Sequence, residues 1–222
     1  MTTSTVEDYL KTILLAEEAQ PGSLVATGRI AAALQVVPGT ATSMVKTLAE
    51  SGLVTHEPYN GVRLTEAGRR LAAHVLRRHR LVELFLVEVM GLDWSEVHQE
   101  AERLEHVISE RLLERMDEML GRPEVDPHGD PIPGPEGGVA APAGPIWDLA
   151  AAPLGRRLRV TRVLDQESQF LQLAQELGLV PGTEVVAERR PEGSDLVELT
   201  RGDRRFSLGL AAAGKIRVEP VE

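Results

Sequence analysis

Cysteine is absent from this 222-residue chain. That removes disulfide bridges, thiolate metal ligands and cysteine nucleophiles together. No apolar run is long enough for a transmembrane helix. The opening Met-Thr-Thr-Ser-Thr-Val-Glu-Asp-Tyr is polar and acidic, unlike a secretory signal. Common enzyme loops are missing too: there is no Gly-rich phosphate loop, no nucleophile elbow and no His-Glu-x-x-His zinc motif. The expectation is a soluble, cytoplasmic, non-enzymatic protein with no membrane partner.

Basic charge is short overall, with 24 Lys and Arg against 34 Asp and Glu, a formal net charge of −10. Taken as one figure this argues against a nucleic-acid partner, but the distribution is uneven. Residues 1–80 carry net +2, residues 81–150 net −12, and residues 151–222 are balanced. The acidic excess therefore lies in the middle third, which leaves the N-terminal third open to DNA.

The middle third contains His98-Gln-Glu-Ala-Glu102-Arg-Leu-Glu105-His106. If the stretch is one helix, then at 100° per residue His98, Glu102, Glu105 and His106 fall within an arc of roughly 100°. Val97, Ala101, Leu104 and Ile108 supply an adjoining apolar side. Crowded carboxylates repel one another and lose hydration if half-buried, and a divalent cation relieves both costs. The competing reading is a solvated acidic face with scattered histidines.

Upstream, Ser4-Thr-Val-Glu7 reads as a capping box opening a helix to about Ala19, stopped by Pro21-Gly22. Two shorter helices are expected over Thr27–Leu34 and Thr40–Glu50. The exposed side of the second carries Thr40, Thr42, Ser43, Lys46 and Thr47, short hydroxyls and one cation suited to a major groove. Leu53–Glu57 and Val62–Thr65, joined through Pro58-Tyr59-Asn60-Gly61, read as a hairpin whose Arg63 and Tyr59 suit phosphate contacts. Two helices followed by a hairpin make a winged helix-turn-helix; a small helical domain without DNA binding is the competing reading.

A long helix is expected from Thr65 to about Val89, carrying His79 and Glu83 at i, i+4 and more apolar residues than one stripe needs. The surplus reads as a homodimer interface. A second helix, capped by Asp93-Trp-Ser-Glu96, should run through the His/Glu stretch to about Leu120. Residues 121–145 hold seven Pro and six Gly, the composition of an extended, partly ordered linker. Five short strand patterns follow, from Leu158–Val163 to Lys215–Val218, with a helix at Ser168–Leu177 ended by Gly178; these predict a small β-barrel.

Taken together, these blocks resemble the iron- and manganese-dependent repressors of the diphtheria toxin repressor and manganese transport regulator family. The likeness is carried by Val6–Leu10, Arg29-Ile-Ala, Gly52-Leu-Val, Leu64-Thr-x-x-Gly68 and Arg78-His79-Arg80 with Glu83. It continues in Val97-His98-x-Glu-Ala, Leu104-Glu105-His106-Val, Asp130-Pro-Ile-Pro-Gly134 and Leu179-Val-Pro-Gly182. The resemblance implies a winged helix-turn-helix at 1–72, a helical metal-binding and dimerisation domain at 73–120, a linker at 121–145 and a FeoA-like β-barrel at 146–222. It also implies a metal-activated homodimer that binds a palindromic double-stranded DNA operator and regulates metal homeostasis.

Residue by residue, Asp8, Glu102, Glu105 and His106 match the family's primary metal site, and His79, Glu83 and His98 its ancillary site. The barrel's carboxylate and amide ligands would fall near Gln166 or Glu167, and Gln169. Iron-sensing members with a barrel have Met and Cys where this chain has Asp8 and Glu102, so the primary site resembles that of the manganese sensors. An oxygen-rich set without sulfur favours Mn²⁺ or Fe²⁺, while other divalent transition metals still bind in vitro. Lys11 stands where manganese sensors place a further carboxylate, which bears on metal stoichiometry. The alternatives are a winged-helix regulator of a small organic ligand with structural histidines, and a metal-dependent hydrolase.

Overall fold

The computed structural model describes residues 3–139 and 144–221 and separates into two compact units. The first gathers Met1–Val82, Glu102–Arg115 and Ile132–Val139; the second gathers Glu83–Ala101, Met116–Pro131 and Ala140–Glu222.

In the first unit, helices α1 (Ser4–Ala19), α2 (Thr27–Ala33) and α3 (Pro38–Glu50) precede a hairpin of β1 (Val54–Glu57) and β2 (Gly61–Leu64), and α4 (Glu66–Glu88) follows. Leu10, Ile13, Ile30, Val45, Leu48 and Val62 are buried in one core, each contributing about 1.5–3 kcal/mol against exposure. The cap of α1 is Thr3, not Ser4: the Thr3 hydroxyl accepts from the Val6 amide at 3.4 Å. α3 starts at Pro38, two residues before its expected start, because a proline in the first turn has no amide that needs a partner.

The hairpin pairs Glu57 with Gly61, so its loop is Pro58–Asn60 rather than a turn centred on Asn60-Gly61. Tyr59 takes the positive φ of 69° there. Gly61 opens β2 because a Cβ at that position would lie 2.6 Å from the Val25 carbonyl oxygen. Val25 pairs with Val62 from the other side. Gly68 has a similar reason: its Cβ would stand 1.9 Å from the Leu53 carbonyl oxygen. Glu17, buried in α1, accepts from the Leu64 amide at 2.8 Å and pairs with Arg69, tying α1 to the base of the wing.

The single helix expected through the His/Glu stretch is two. α5 (Val97–Leu104) ends before Glu105, and α6 (Glu110–Met119) starts after Ser109, whose hydroxyl accepts from the Leu112 amide at 3.3 Å. Glu105 and His106 lie in the intervening bend, so the shared helix face expected for His98, Glu102, Glu105 and His106 does not form.

The second unit holds β3 (Trp147–Asp148), β4 (Arg157–Val163), α7 (Ser168–Leu177), β5 (Glu184–Arg189), β6 (Leu196–Arg201), β7 (Arg204–Gly209), α8 (Leu210–Ala213) and β8 (Ile216–Pro220). They form one antiparallel sheet in the order β3-β8-β4-β5-β6-β7. Alternation along the strands buries Leu158, Val160, Val197, Leu199, Ile216 and Val218, and α7 adds Leu171 and Ala174. The expected barrel is thus an open sheet with β3 and β7 at its edges and one strand more than anticipated.

The stretch read as a loose linker is largely packed. Asp126, His128 and Asp130 are buried, and Asp126 Oδ1 accepts from the amides of His128 at 2.8 Å and Asp130 at 2.9 Å. Gly129, at φ 84°, lies so close to the Thr161 carbonyl that a Cβ would stand 1.9 Å from its oxygen. In the first unit, Arg77 Nη1 donates to the Pro133 carbonyl at 2.8 Å. Residues 140–143 of this stretch lie outside the described residues.

Candidate metal centre

Glu7, Asp8 and Lys11 fall on one side of α1 because positions three and four apart in a helix lie together. In the first unit they meet Glu102 from the end of α5, Glu105 and His106 from the bend, and His79 from α4. Glu105 is fully buried. Its Oε1 accepts from Lys11 Nζ at 2.7 Å, its Oε2 lies 2.6 Å from His79 Nδ1, and His106 Nε2 lies 3.3 Å from Oε1. Lys11 Nζ also donates to Glu102 Oε1 at 2.7 Å. An ionised carboxylate only accepts, so His79 presents Nδ1–H to Glu105.

His106 is held from both sides, with Nδ1 2.8 Å from Glu7 Oε2 and Nε2 2.9 Å from Asp8 Oδ1. Asp8 Oδ1 is buried and makes no hydrogen bond, so its close approach to His106 lacks hydrogen-bond geometry. Glu7, which the sequence marked only as part of a helix cap, accepts from His106 Nδ1–H and leaves the Nε2 lone pair turned toward Asp8 and Glu105; orienting partners of this kind accompany most histidine ligands. Ligand atoms of Asp8, Glu105 and His106 all lie within 4.8 Å of one another, and the set suits a hard divalent cation.

Charge is only partly offset within this cluster, where Lys11 faces the carboxylates of Glu102 and Glu105. Burial pushes the Asp8 carboxyl up from its ordinary value, with His106 and Lys11 pulling part of the way back. For Lys11, burial acts downward, but Glu105 and Glu102 outweigh it and the ammonium titrates above its ordinary value.

A second grouping lies in the second unit. Glu83, Asp126 and His128 are all buried, with ligand atoms within 4.8 Å of one another. His128 Nε2 lies 2.9 Å from the Trp94 carbonyl oxygen, to which only an N–H can donate, and its ring stacks on Trp94 at 5.4 Å. Its other nitrogen, Nδ1, has no hydrogen-bond partner and lies 3.9 Å from Glu83 Oε2. Asp126 and His128 were missed because they sit in the Pro/Gly-rich stretch; the signal that could have exposed them was an acid and a histidine flanking Pro127.

Glu83 also lies against His98, whose Nδ1 is 3.1 Å from Glu83 Oε1. A surface hollow beside His98 is lined by Leu164, Asp165, Gln166, Glu167 and Lys215. Gln166 is engaged with Asp130, donating to its carboxylate at 2.7 Å. Glu167 lines the hollow, but Gln169 does not; it is exposed on the first turn of α7.

Thr40, Thr42, Ser43, Lys46 and Thr47 are all exposed on α3. Thr42 and Thr47 donate to the carbonyls of Pro38 and Ser43, four residues back. On the wing, Arg63 is exposed and donates to the Gly22 carbonyl at 2.8 Å, and Tyr59 stands fully exposed at the tip.

Three family models cover almost the whole chain. "Iron dependent repressor, N-terminal DNA binding domain" matches residues 1–62, "Iron dependent repressor, metal binding and dimerisation domain" matches residues 65–134, and "FeoA domain" matches residues 148–220. The iron-dependent repressor IdeR of Mycobacterium tuberculosis is 34% identical over 227 residues, covering 98% of this chain and 97% of its own. Among solved structures, a manganese-dependent transcriptional repressor in complex with manganese superposes with a TM-score of 0.86 at 39% identity, covering 97% of this chain and 100% of that one. ScaR with bound Cd²⁺ superposes with a TM-score of 0.78 at 30% identity, covering 97% and 99%.

Proposed function

This chain belongs to the iron-dependent repressor family, and on that premise we propose a divalent-metal-activated transcriptional repressor that answers to Mn²⁺ first and also to Fe²⁺. It acts in the cytoplasm as a homodimer on a double-stranded operator and carries no enzymatic activity. The observation that carries this reading is the sulfur-free convergence of Asp8, Glu105 and His106, with Asp8 Oδ1 buried and without a hydrogen bond. A bound divalent ion supplies the positive charge that these carboxylates lack, and Zn²⁺ or Co²⁺ would also bind in vitro.

The coupling follows from where the ligands are anchored. Asp8 belongs to α1, whereas Glu105 and His106 belong to the bend after α5. Holding the three together fixes α1, and Glu17 at the far end of α1 carries that restraint to the Leu64 amide beneath the wing. The metal-bound arrangement is then favoured by its differential affinity. Glu83, Asp126 and His128, with His98 alongside, form a second metal position. Thr40, Thr42, Ser43, Lys46 and Thr47 read the groove, while Arg63 and Tyr59 meet phosphate. Residues 1–72 form the DNA-binding part, residues 73–120 the metal-binding and dimerisation part, and residues 146–222 the FeoA-like part. In the first unit, Leu104, Val107 and Leu112 stay exposed, an apolar surface suited to a second copy.

The test is selection of bound duplexes from a random DNA pool in the presence of Mn²⁺, followed by gel shift on the enriched sequence. Enrichment of a palindrome that is released by a chelator is expected. Equal binding with and without metal would refute metal activation.

A further inference from the structure

The first cluster contains two triads that share Glu105: Asp8, Glu105 and His106, and His79, Glu102 and Glu105. By ligand geometry alone each offers a place for an ion, which would make a two-metal centre. Lys11 bears on that choice. Its Nζ lies 2.7 Å from Glu102 Oε1 and 2.7 Å from Glu105 Oε1, and its side chain is only 8% exposed. The ammonium thus bridges the two carboxylates of the second triad, where a cation would otherwise sit. We infer that Lys11 permanently takes the place of a second divalent ion, so that the centre holds one ion, on Asp8, Glu105 and His106. This rests on the metal-centre reading above.

Charge supports it. Asp8, Glu102 and Glu105 bring three negative charges, and Lys11 leaves two, which one divalent ion neutralises. A second ion would leave the buried centre with two uncompensated positive charges, a state that a desolvated site strongly disfavours. Glu7 is left out of this count: it faces His106 Nδ1 on the side away from Lys11 and shares Arg78 with Glu110. With a carboxylate at position 11 the count reverses: four negative charges would match two divalent ions. His79 then serves as a positioning residue, because its Nδ1–H holds Glu105 Oε2 at 2.6 Å and orients the oxygen shared with Lys11 and the metal.

The test is an anoxic Mn²⁺ titration of the full chain, wild type and Lys11→Glu, counting free Mn²⁺ by electron paramagnetic resonance and recording low-temperature spectra of the bound ions. The wild type should show magnetically isolated ions. Lys11→Glu should take up one further Mn²⁺ per chain and show an exchange-coupled pair. A coupled pair in the wild type would overturn the inference, and so would a folded Lys11→Glu chain that gains no ion. The wild-type spectrum decides by itself if Lys11→Glu fails to fold. Glu105→Gln separates the two levels: if it leaves Mn²⁺ uptake unchanged, the metal-centre reading falls and this inference with it. A coupled wild-type pair sinks the role of Lys11 alone.

Discussion

Glu105→Gln perturbs the point where metal binding and folding of the first unit meet. The carboxylate is fully buried and contacts Lys11 Nζ at 2.7 Å, His79 Nδ1 at 2.6 Å and His106 Nε2 at 3.3 Å. Deleting one partner of a buried pair costs about 3–5 kcal/mol. An amide of the same shape keeps one oxygen for Lys11 and relieves repulsion from Asp8 and Glu102, but turns its own N–H toward His79 Nδ1–H, so about 1–3 kcal/mol is expected for the metal-free protein, the range for a buried donor left unsatisfied. With metal the difference widens. At Mn²⁺ a hundredfold above its dissociation constant, the wild type gains about 2.7 kcal/mol from mass action.

Amide hydrogen exchange read on peptides from α1 localises that gain to the first unit. If α1 exchanges by an opening that releases the metal, Mn²⁺ should slow wild-type exchange there about 100-fold. In Glu105→Gln the slowing should nearly vanish while the protein remains folded. A variant whose α1 is protected by Mn²⁺ as strongly as the wild type would refute the assignment of Glu105 as a ligand.

Asp8→Asn tests the cost of burying that carboxylate. Its folded pKa is raised, so between the ordinary and raised values the native chain binds more protons than the unfolded chain, and metal-free stability falls as pH rises through that window. Asp8→Asn should therefore raise the urea midpoint of metal-free protein at neutral pH while abolishing Mn²⁺ protection of α1; a lowered midpoint contradicts the burial argument. Arg63→Ala, at an exposed position on the wing, should weaken DNA binding across sequences and reduce the salt slope by about 1. An unchanged slope would remove Arg63 from phosphate contact. Gly68→Ala would bring a Cβ within 1.9 Å of the Leu53 carbonyl oxygen and should cost at least about 1–3 kcal/mol of stability, read from the urea midpoint; no change would mean that the start of α4 yields easily.

The elements legible in the sequence were those set by local rules. Helical spacing identified α1 and α3, Gly178 marked the end of α7, and strand alternation anticipated most of the sheet in the second unit. The helix-face reading grouped His98, Glu102, Glu105 and His106, and the family resemblance added Asp8; the structure brings Asp8, Glu105 and His106 together, but not through a helix face. One continuous helix face would have joined His98 to His106, whereas the chain bends after Leu104 and sends Glu105 inward to Lys11 and His79. No Gly or Pro marks that bend. Ser109 was the available signal, a capping hydroxyl three residues before Leu112, and a helical pattern running through it concealed the break. Residues 121–139 failed for the opposite reason. Pro and Gly limit which backbone conformations are open, but they do not decide whether amides find acceptors, and Asp126 supplies one carboxylate oxygen to two of them. A segment rich in both residues can therefore be packed and still deliver a buried imidazole such as that of His128. Lys11 is the hardest case: the family resemblance marks it as a departure, but its burial and its bridge between Glu102 and Glu105 arise only when the fold brings in carboxylates distant in sequence.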